Sequence, residues 1–529
     1  MPVELLRHLP FDVLGEVPGL ESDRGFAESL LAPSTANWPR PAARFDRLER
    51  AALAERLQEA LGPFSPHVAV LDALSEVRDS GAAFVGVTVR PTLLGPRLGD
   101  LLAALHAVTL ARAARAGTGR PVRALVWVAT DEHAPVQPQA AFEGPHHDLL
   151  RLRLEDYETE PRPEEAALRS ERAHLGALRA HLRTLFHDAP HRDRAFELCL
   201  PKEGESLGTA TVRALLELFG AEGALVVGEA ALRPELASAC SRLVEDAAHL
   251  PADAAVAVRL LPGERRVMRP GREGFVDGVE PGSWTPVELA GRLVVSPAEF
   301  SPSSALLPAA LAEVVPLAAW LPRRADLHAV RALRAARAPR PGGTSAADEE
   351  QVPPPILVPQ LEATLVEPEV LEAARRAGAH APVALPVAWL RTGPPDLPDE
   401  EDKVLSDAIR ALDELKKLAS DQLRGLSGPA RAMIAADPSL GPVWKRQSGR
   451  SREALAAFEG SAERALRNRA GTAARHRRHL ATVLRPTGRP QGEVHSAIGF
   501  LARRGTEWLA ELADEFDPLG LEHLLVELR

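Results

Sequence analysis

Lysine, cysteine and aromatic residues are scarce in this 529-residue chain, and each scarcity excludes something. Cys199 and Cys240 are its only cysteines. Two thiols neither staple a chain of this size nor furnish a four-thiolate zinc site, so a reducing compartment fits and no metal is expected. Lysine occurs only at Lys202, Lys403, Lys416, Lys417 and Lys445, and arginine supplies the rest of the 63 basic residues. That skew, with 47 prolines, reads as GC-rich codon usage. Against 73 acidic residues the net charge is −10 with signs interspersed, so a basic face for nucleic acid is not expected. The longest apolar stretch, residues 305–321, holds Glu313, Pro308 and Pro316, which suits a core segment rather than a membrane span. Residues 1–10 carry no apolar run of the signal-peptide type. No GxSxG, HExxH, CxxC or P-loop motif occurs. The expectation is a soluble, cytoplasmic protein without a membrane or nucleic-acid partner.

What is present is an Ala- and Leu-rich chain, 45% hydrophobic, long enough for several domains of about 150 residues each. Pro33, Pro39 and Pro41 punctuate its start, and residues 47–61 read as an amphipathic helix ended by Gly62-Pro63. Residues 82–89 form a β-rich run, 98–116 an apolar-periodic helix, and 122–129 a second buried strand. Strand, helix, strand at this spacing is a βαβ unit and predicts a parallel sheet. The alternation continues with a helix over 209–219 and a strand over 223–227. Residues 256–261 and 292–295 read as hairpin or edge strands of a smaller insertion. Residues 314–321, 356–358 and 383–390 are further strand candidates, and 337–355 reads as a flexible loop or linker.

From Asp399 the character changes. Leu405, Ala408, Leu412, Leu415, Ala419, Gln422 and Leu426 fall at alternating spacings of three and four, an a/d heptad seam. Gly428-Pro429, Pro438 and Gly441-Pro442 break it, and Leu455, Phe458, Ala462 and Ala465 resume it. This predicts an antiparallel coiled-coil hairpin, with two packed helices of an ordinary α domain as the alternative. Residues 491–516 are amphipathic and are expected to fold back on the body.

Ligands of a doubly wound sheet bind beyond the carboxyl ends of its strands. Two loops qualify. One runs from Gly86 through Gly95-Pro96 into the 98–116 helix, where backbone N–H groups could meet phosphate, or it is a plain strand-to-helix turn. The other is Thr130-Asp131-Glu132-His133, whose acids and imidazole could bind a metal, orient an amine or exchange protons. A solvated loop with Asp131 as a helix cap explains it equally well. His146-His147-Asp148 lacks a further ligand at a standard spacing. The run Arg475-His476-Arg477-Arg478-His479, with no aromatics interleaved, reads as a solvated helix face.

The order of segments is informative. Gly86…Leu93-Leu94-Gly95-Pro96 is followed by Val126-Trp127-Val128-Ala129 and an acidic pair with His133. Phe300-Ser301-Pro302-Ser303, then Pro359-Gln360-Leu361-Glu362-Ala363-Thr364, precede the hairpin. The series resembles the BshC family, the cysteine ligases of bacillithiol biosynthesis, nearly end to end. The resemblance implies a Rossmann-like α/β core over residues 1–398, with a connector insertion at about 230–300. It also implies a C-terminal antiparallel coiled coil over 399–486, closing helices over 487–529, and a homodimer. It implies an ATP- or ADP-like nucleotide, and the joining of cysteine to an amino-sugar malate conjugate, glucosaminyl-malate, through an amide. On the matching positions, Asp131, Glu132 and His133 would be catalytic, and Gly86, Thr88, Gly95, Pro96, Gln360 and Thr364 would bind substrate or nucleotide.

The chain departs from the family motifs where polar groups are concerned. Val87, Thr88 and Val89 stand in place of a glycine and two glutamines, Gln360 in place of an arginine, and Glu362 in place of a small polar residue. Gln360 lacks the permanent charge of arginine, and Glu362 repels an anion. Arg90, Arg323 and Arg324 occupy loops where the family motifs carry none. Two alternatives to the ligase follow: a relative acting as a coiled-coil scaffold, and a nucleotide-dependent transferase with another acceptor.

Overall fold

A computed structural model describes residues 3–10, 45–130, 139–144, 147–153, 172–247, 256–261, 264–271, 274–277, 284–327, 330, 355–376, 389–390, 400–469, 472–520 and 522–528. Asp46 opens α1 (Arg47–Leu61) with a capping box to Glu49. The βαβ unit is β1 (Ala83–Val89), α2 (Leu98–Thr118) and β2 (Val122–Val128). Then come α3 (Leu207–Phe219), β3 (Leu225–Gly228), β4 (Leu317–Leu321) and β5 (Ile356–Leu357). These five strands form one parallel sheet in the order β5-β4-β1-β2-β3. A parallel sheet is covered on both faces, so its strands read as unbroken apolar runs.

The chain winds outward from β1 through β2 to β3, then crosses back to lay β4 on the other side of β1. Winding therefore reverses between β1 and β4. Gly86 and Trp320 are register partners across that pair, and a Cβ at Gly86 would lie 2.5 Å from the Trp320 ring. The glycine is fixed by sheet packing in mid-strand, not by approach to a phosphate.

A second sheet orders the N-terminal strand Val3–Pro10, then the closing strand, then β6 (Glu362–Val366). The closing strand, β7 (Glu522–Leu528), pairs antiparallel with Val3–Pro10 and parallel with β6. The insertion is an antiparallel sheet of Phe300–Pro302, Ala257–Leu261, Glu264–Pro270 and Phe275–Val276. Residues 292–295 are not a strand: they end the helix Pro286–Val295. Its Thr285/Glu288 capping box and Pro286 outweigh the β-branched Val294 and Val295, which stay exposed in the last turn. Of the expected strand at 383–390, residues 383–388 lie outside the described residues, and Trp389 and Leu390 are helical. Of the expected loop at 337–355, only Pro355 is described.

The chain forms two compact units, one of Met1–Pro368 with Val483–Arg529 and one of Glu369–Thr482. The second contains α4 (Glu400–Ala436) and α5 (Leu440–Arg469), which pack together as an antiparallel hairpin. The sequence places a helix break at Gly428-Pro429, but α4 runs through it. Gly425 and Gly428 carry no side chains on that turn, which leaves room for the pyrrolidine ring. The hairpin turns at Asp437-Pro438-Ser439, where the Asp437 carboxylate accepts the Ser439 N–H.

The seam also differs from the expected heptad. The less exposed positions of α4 are Ala408, Leu412, Lys416, Ala419, Leu423, Ser427, Ala430 and Ile434, while Leu415, Gln422 and Leu426 are exposed. Spacings of four, four and three make an 11-residue repeat, close to a straight helix's own period. Among the described residues, no helix is long and apolar enough to cross a membrane.

Candidate anion-binding site

The reversal between β1 and β4 opens a crevice at the carboxyl edge of the sheet, where open α/β folds bind their ligands. Arg90 follows β1 directly, and Arg323 and Arg324 follow β4. Arg97 stands at the start of α2, and Arg489 precedes the short helix Gln491–Val494. These five arginines line a cleft of about 190 Å³ together with Asp100, Gln360, Glu362, Thr364, Glu493 and His523. Sites for drug-sized ligands hold roughly 300–1,000 Å³, so this one suits a compact acidic group.

Five guanidinium groups face three carboxylates. Arg489 pairs with Glu493 at 2.7 Å, and Arg324 Nη1 lies 3.5 Å from Glu362 Oε2. Burial holds Arg97 below the ordinary guanidinium value. Asp100 opposes that shift, and the charges of Arg90, Arg323 and Arg489 add to it. A wall of mutually repelling guanidinium groups favours an anion, and their planar forks match carboxylate or phosphate.

The walls are tied to the scaffold by buried polar contacts. Gln360 Nε2 donates to the Leu321 carbonyl at 2.9 Å, joining the approach to β6 to the end of β4. The Leu361 N–H donates to His106 Nδ1 at 2.9 Å, and His106 Nε2 donates to the Pro518 carbonyl at 2.7 Å. Gln491 both accepts from and donates to the Leu365 backbone, at 2.8 Å each way. Gly99 and Gly492 meet backbone to backbone; a Cβ at Gly99 would lie 2.8 Å from the Gly492 carbonyl oxygen.

His523 on β7 is 1% exposed and stands opposite Glu362 in the sheet register. Its Nε2 lies 2.9 Å from Thr364 Oγ1, and its Nδ1 lies 3.8 Å from Glu362 Oε2. Among the described residues, neither Nδ1 nor that carboxylate oxygen has a hydrogen-bond partner.

Gln360 and Thr364, both expected to bind ligand, line this cleft. Gly86, Thr88, Gly95 and Pro96 do not. Thr88 is buried in β1, and a Cβ at Gly95 would meet Cys199 at 2.9 Å. The Pro96 carbonyl accepts the Ala497 N–H. The first N–H of α2, on Leu98, donates to the His495 carbonyl at 2.8 Å. The loop expected to cradle phosphate is thus packed against the C-terminal segment, and the guanidinium groups stand at the cleft instead. Asp131, Glu132 and His133 lie outside the described residues. Arg97, Arg489 and His523 carried no motif signal, since the first two are ordinary in an arginine-rich chain and His523 stands 159 residues from its partner Thr364.

Fold and site together define an α/β protein with a parallel-sheet core, an arginine-lined switch-point cleft and an appended helical hairpin. Residues 406–528 match the family model described as "Bacillithiol biosynthesis BshC, C-terminal coiled-coil domain". Residues 406–528 thus resemble the C-terminal coiled-coil domain of the BshC family, and the match supports a role in bacillithiol biosynthesis. No curated protein matches the chain.

Proposed function

We propose that the chain joins cysteine to the amine of glucosaminyl-malate, with the malate carboxylates held in the arginine cleft. The observation that carries this reading is the wall of Arg90, Arg97, Arg323, Arg324 and Arg489 at the switch point. Two carboxylates on a compact head group match its charge and size. The new bond is an amide between the cysteine carboxyl carbon and the sugar nitrogen. One carboxyl oxygen must leave, and a nucleoside triphosphate that phosphorylates or adenylates it supplies the leaving group. Incubation of the purified chain with glucosaminyl-malate, cysteine and ATP is expected to yield the conjugate by mass spectrometry. No product with any nucleoside triphosphate sinks the reading. Arg323→Ala is expected to raise the KM for the malate conjugate roughly 10- to 100-fold, the worth of a charged hydrogen bond.

A second reading, as a scaffold, is favoured by Leu418, Leu426, Met433 and Phe458, large apolar side chains exposed on the hairpin. It and the homodimer are tested together by sedimentation: a dimer at micromolar concentration supports a hairpin interface, and a monomer counts against it.

A further inference from the structure

We propose that Glu362 and His523 are the docking pair for the substrate's amine, and that His523 Nδ1 accepts its proton. This rests on the ligase reading above and names the other half of the same site. His523 is buried to 99%, yet among the described residues its Nδ1 has no hydrogen-bond partner, and Glu362 Oε2 has only the ion pair with Arg324 at 3.5 Å. Both residues line the arginine cleft. An unsatisfied buried polar atom is costly unless a ligand completes it. At 3.8 Å the two atoms are too far apart to bond each other, and close enough for one ammonium nitrogen to donate to both. The cleft thus offers guanidinium groups to the acid end of a ligand and an acceptor pair to its amine.

Thr364 makes proton transfer at His523 possible. Its hydroxyl, 2.9 Å from Nε2, can donate or accept, so it serves the imidazole in either tautomer. With Nε2–H donating to Thr364, Nδ1 presents a lone pair. The substrate N–H bond breaks, the proton moves to Nδ1, and the electron pair stays on nitrogen as the nucleophile. The imidazolium formed faces the Glu362 carboxylate, which Arg324 also approaches at 3.5 Å.

Titration calorimetry of the full chain with glucosaminyl-malate and with its N-acetylated form separates the two ends. The free amine is expected to bind roughly tenfold or more tightly than the amide, as a charged hydrogen bond implies. Glu362→Gln and His523→Asn should abolish that preference while leaving affinity for the N-acetyl form within about threefold, which also shows the cleft intact. Equal affinity of the native chain for the two forms overturns the pair but not the ligase reading; binding of neither overturns both. In turnover, His523→Asn should lower kcat at least tenfold with KM for cysteine unchanged, and an unchanged kcat overturns the proton-acceptor role.

Discussion

His106 shows how one buried side chain makes the fold depend on pH. Burial pushes its imidazole down to about 4, against the pull of the Pro518 carbonyl and of Asp517. The neutral ring does two jobs at once, accepting the Leu361 N–H and donating to Pro518, and a protonated ring cannot accept. In an unfolded chain the ring titrates near 6.5. The folded state therefore binds fewer protons between those values. Its contribution is complete above pH 6.5 and is lost as pH falls toward 4, by about 3 kcal/mol at most. Thermal unfolding should show a melting temperature that drops between pH 6.5 and 4.5, and His106→Gln should flatten that part of the profile. At the same scale, Gly99→Ala places a methyl group against the Gly492 backbone. An overpacked contact of that kind costs about 1–3 kcal/mol. Calorimetry should show lower stability together with weaker binding of the proposed substrate, glucosaminyl-malate, because the same contact forms the cleft wall.

At the scale of elements, the hairpin offers two readings of one sequence. Leucines at 412, 415, 418, 423 and 426 satisfy both a three-four and a four-four-three pattern, so composition could not choose between them. Packing chooses the second, turning Leu423 inward and leaving Leu415 exposed. Leu423→Asp should therefore destabilise the hairpin by about 2 kcal/mol, through lost burial and a desolvated charge. Leu415→Asp should change stability by no more than about 0.5 kcal/mol. Far-ultraviolet circular dichroism during thermal unfolding distinguishes them, and the reverse order would restore the heptad register. The core strands had no such ambiguity. Ala83–Val89 and Val122–Val128 are buried on both faces and bounded by turn residues, so their apolar runs admitted one reading. The end of the helix Pro286–Val295 reads as strand from sequence because two β-branched valines stand there, nine and ten residues from the capping threonine that starts the helix.

At the scale of the molecule, what stayed hidden is whatever the fold assembles from distant segments. The cleft draws its arginines from positions 90, 97, 323, 324 and 489, a set with no spacing to recognise in a chain rich in arginine. Gln360 and Thr364 were legible because they stand in one short motif; their partner His523 was not, because β7 reaches them only through sheet pairing. That closing strand is the middle of its sheet, flanked by Val3–Pro10 and by β6. Leu524, Leu525, Val526 and Leu528 on it are buried, at about 1.5–3 kcal/mol each. Their sum is comparable to the 5–15 kcal/mol by which a whole domain is stable. Removing residues 521–529 should thus do more than fray an end. It should separate the N-terminal strand from β6, remove His523 from the cleft, and yield a protein that aggregates or binds a hydrophobic dye. Deleting Arg529 alone should leave the melting temperature unchanged. If the longer truncation melts within a few degrees of the full chain, β7 is an appendage rather than the centre of its sheet.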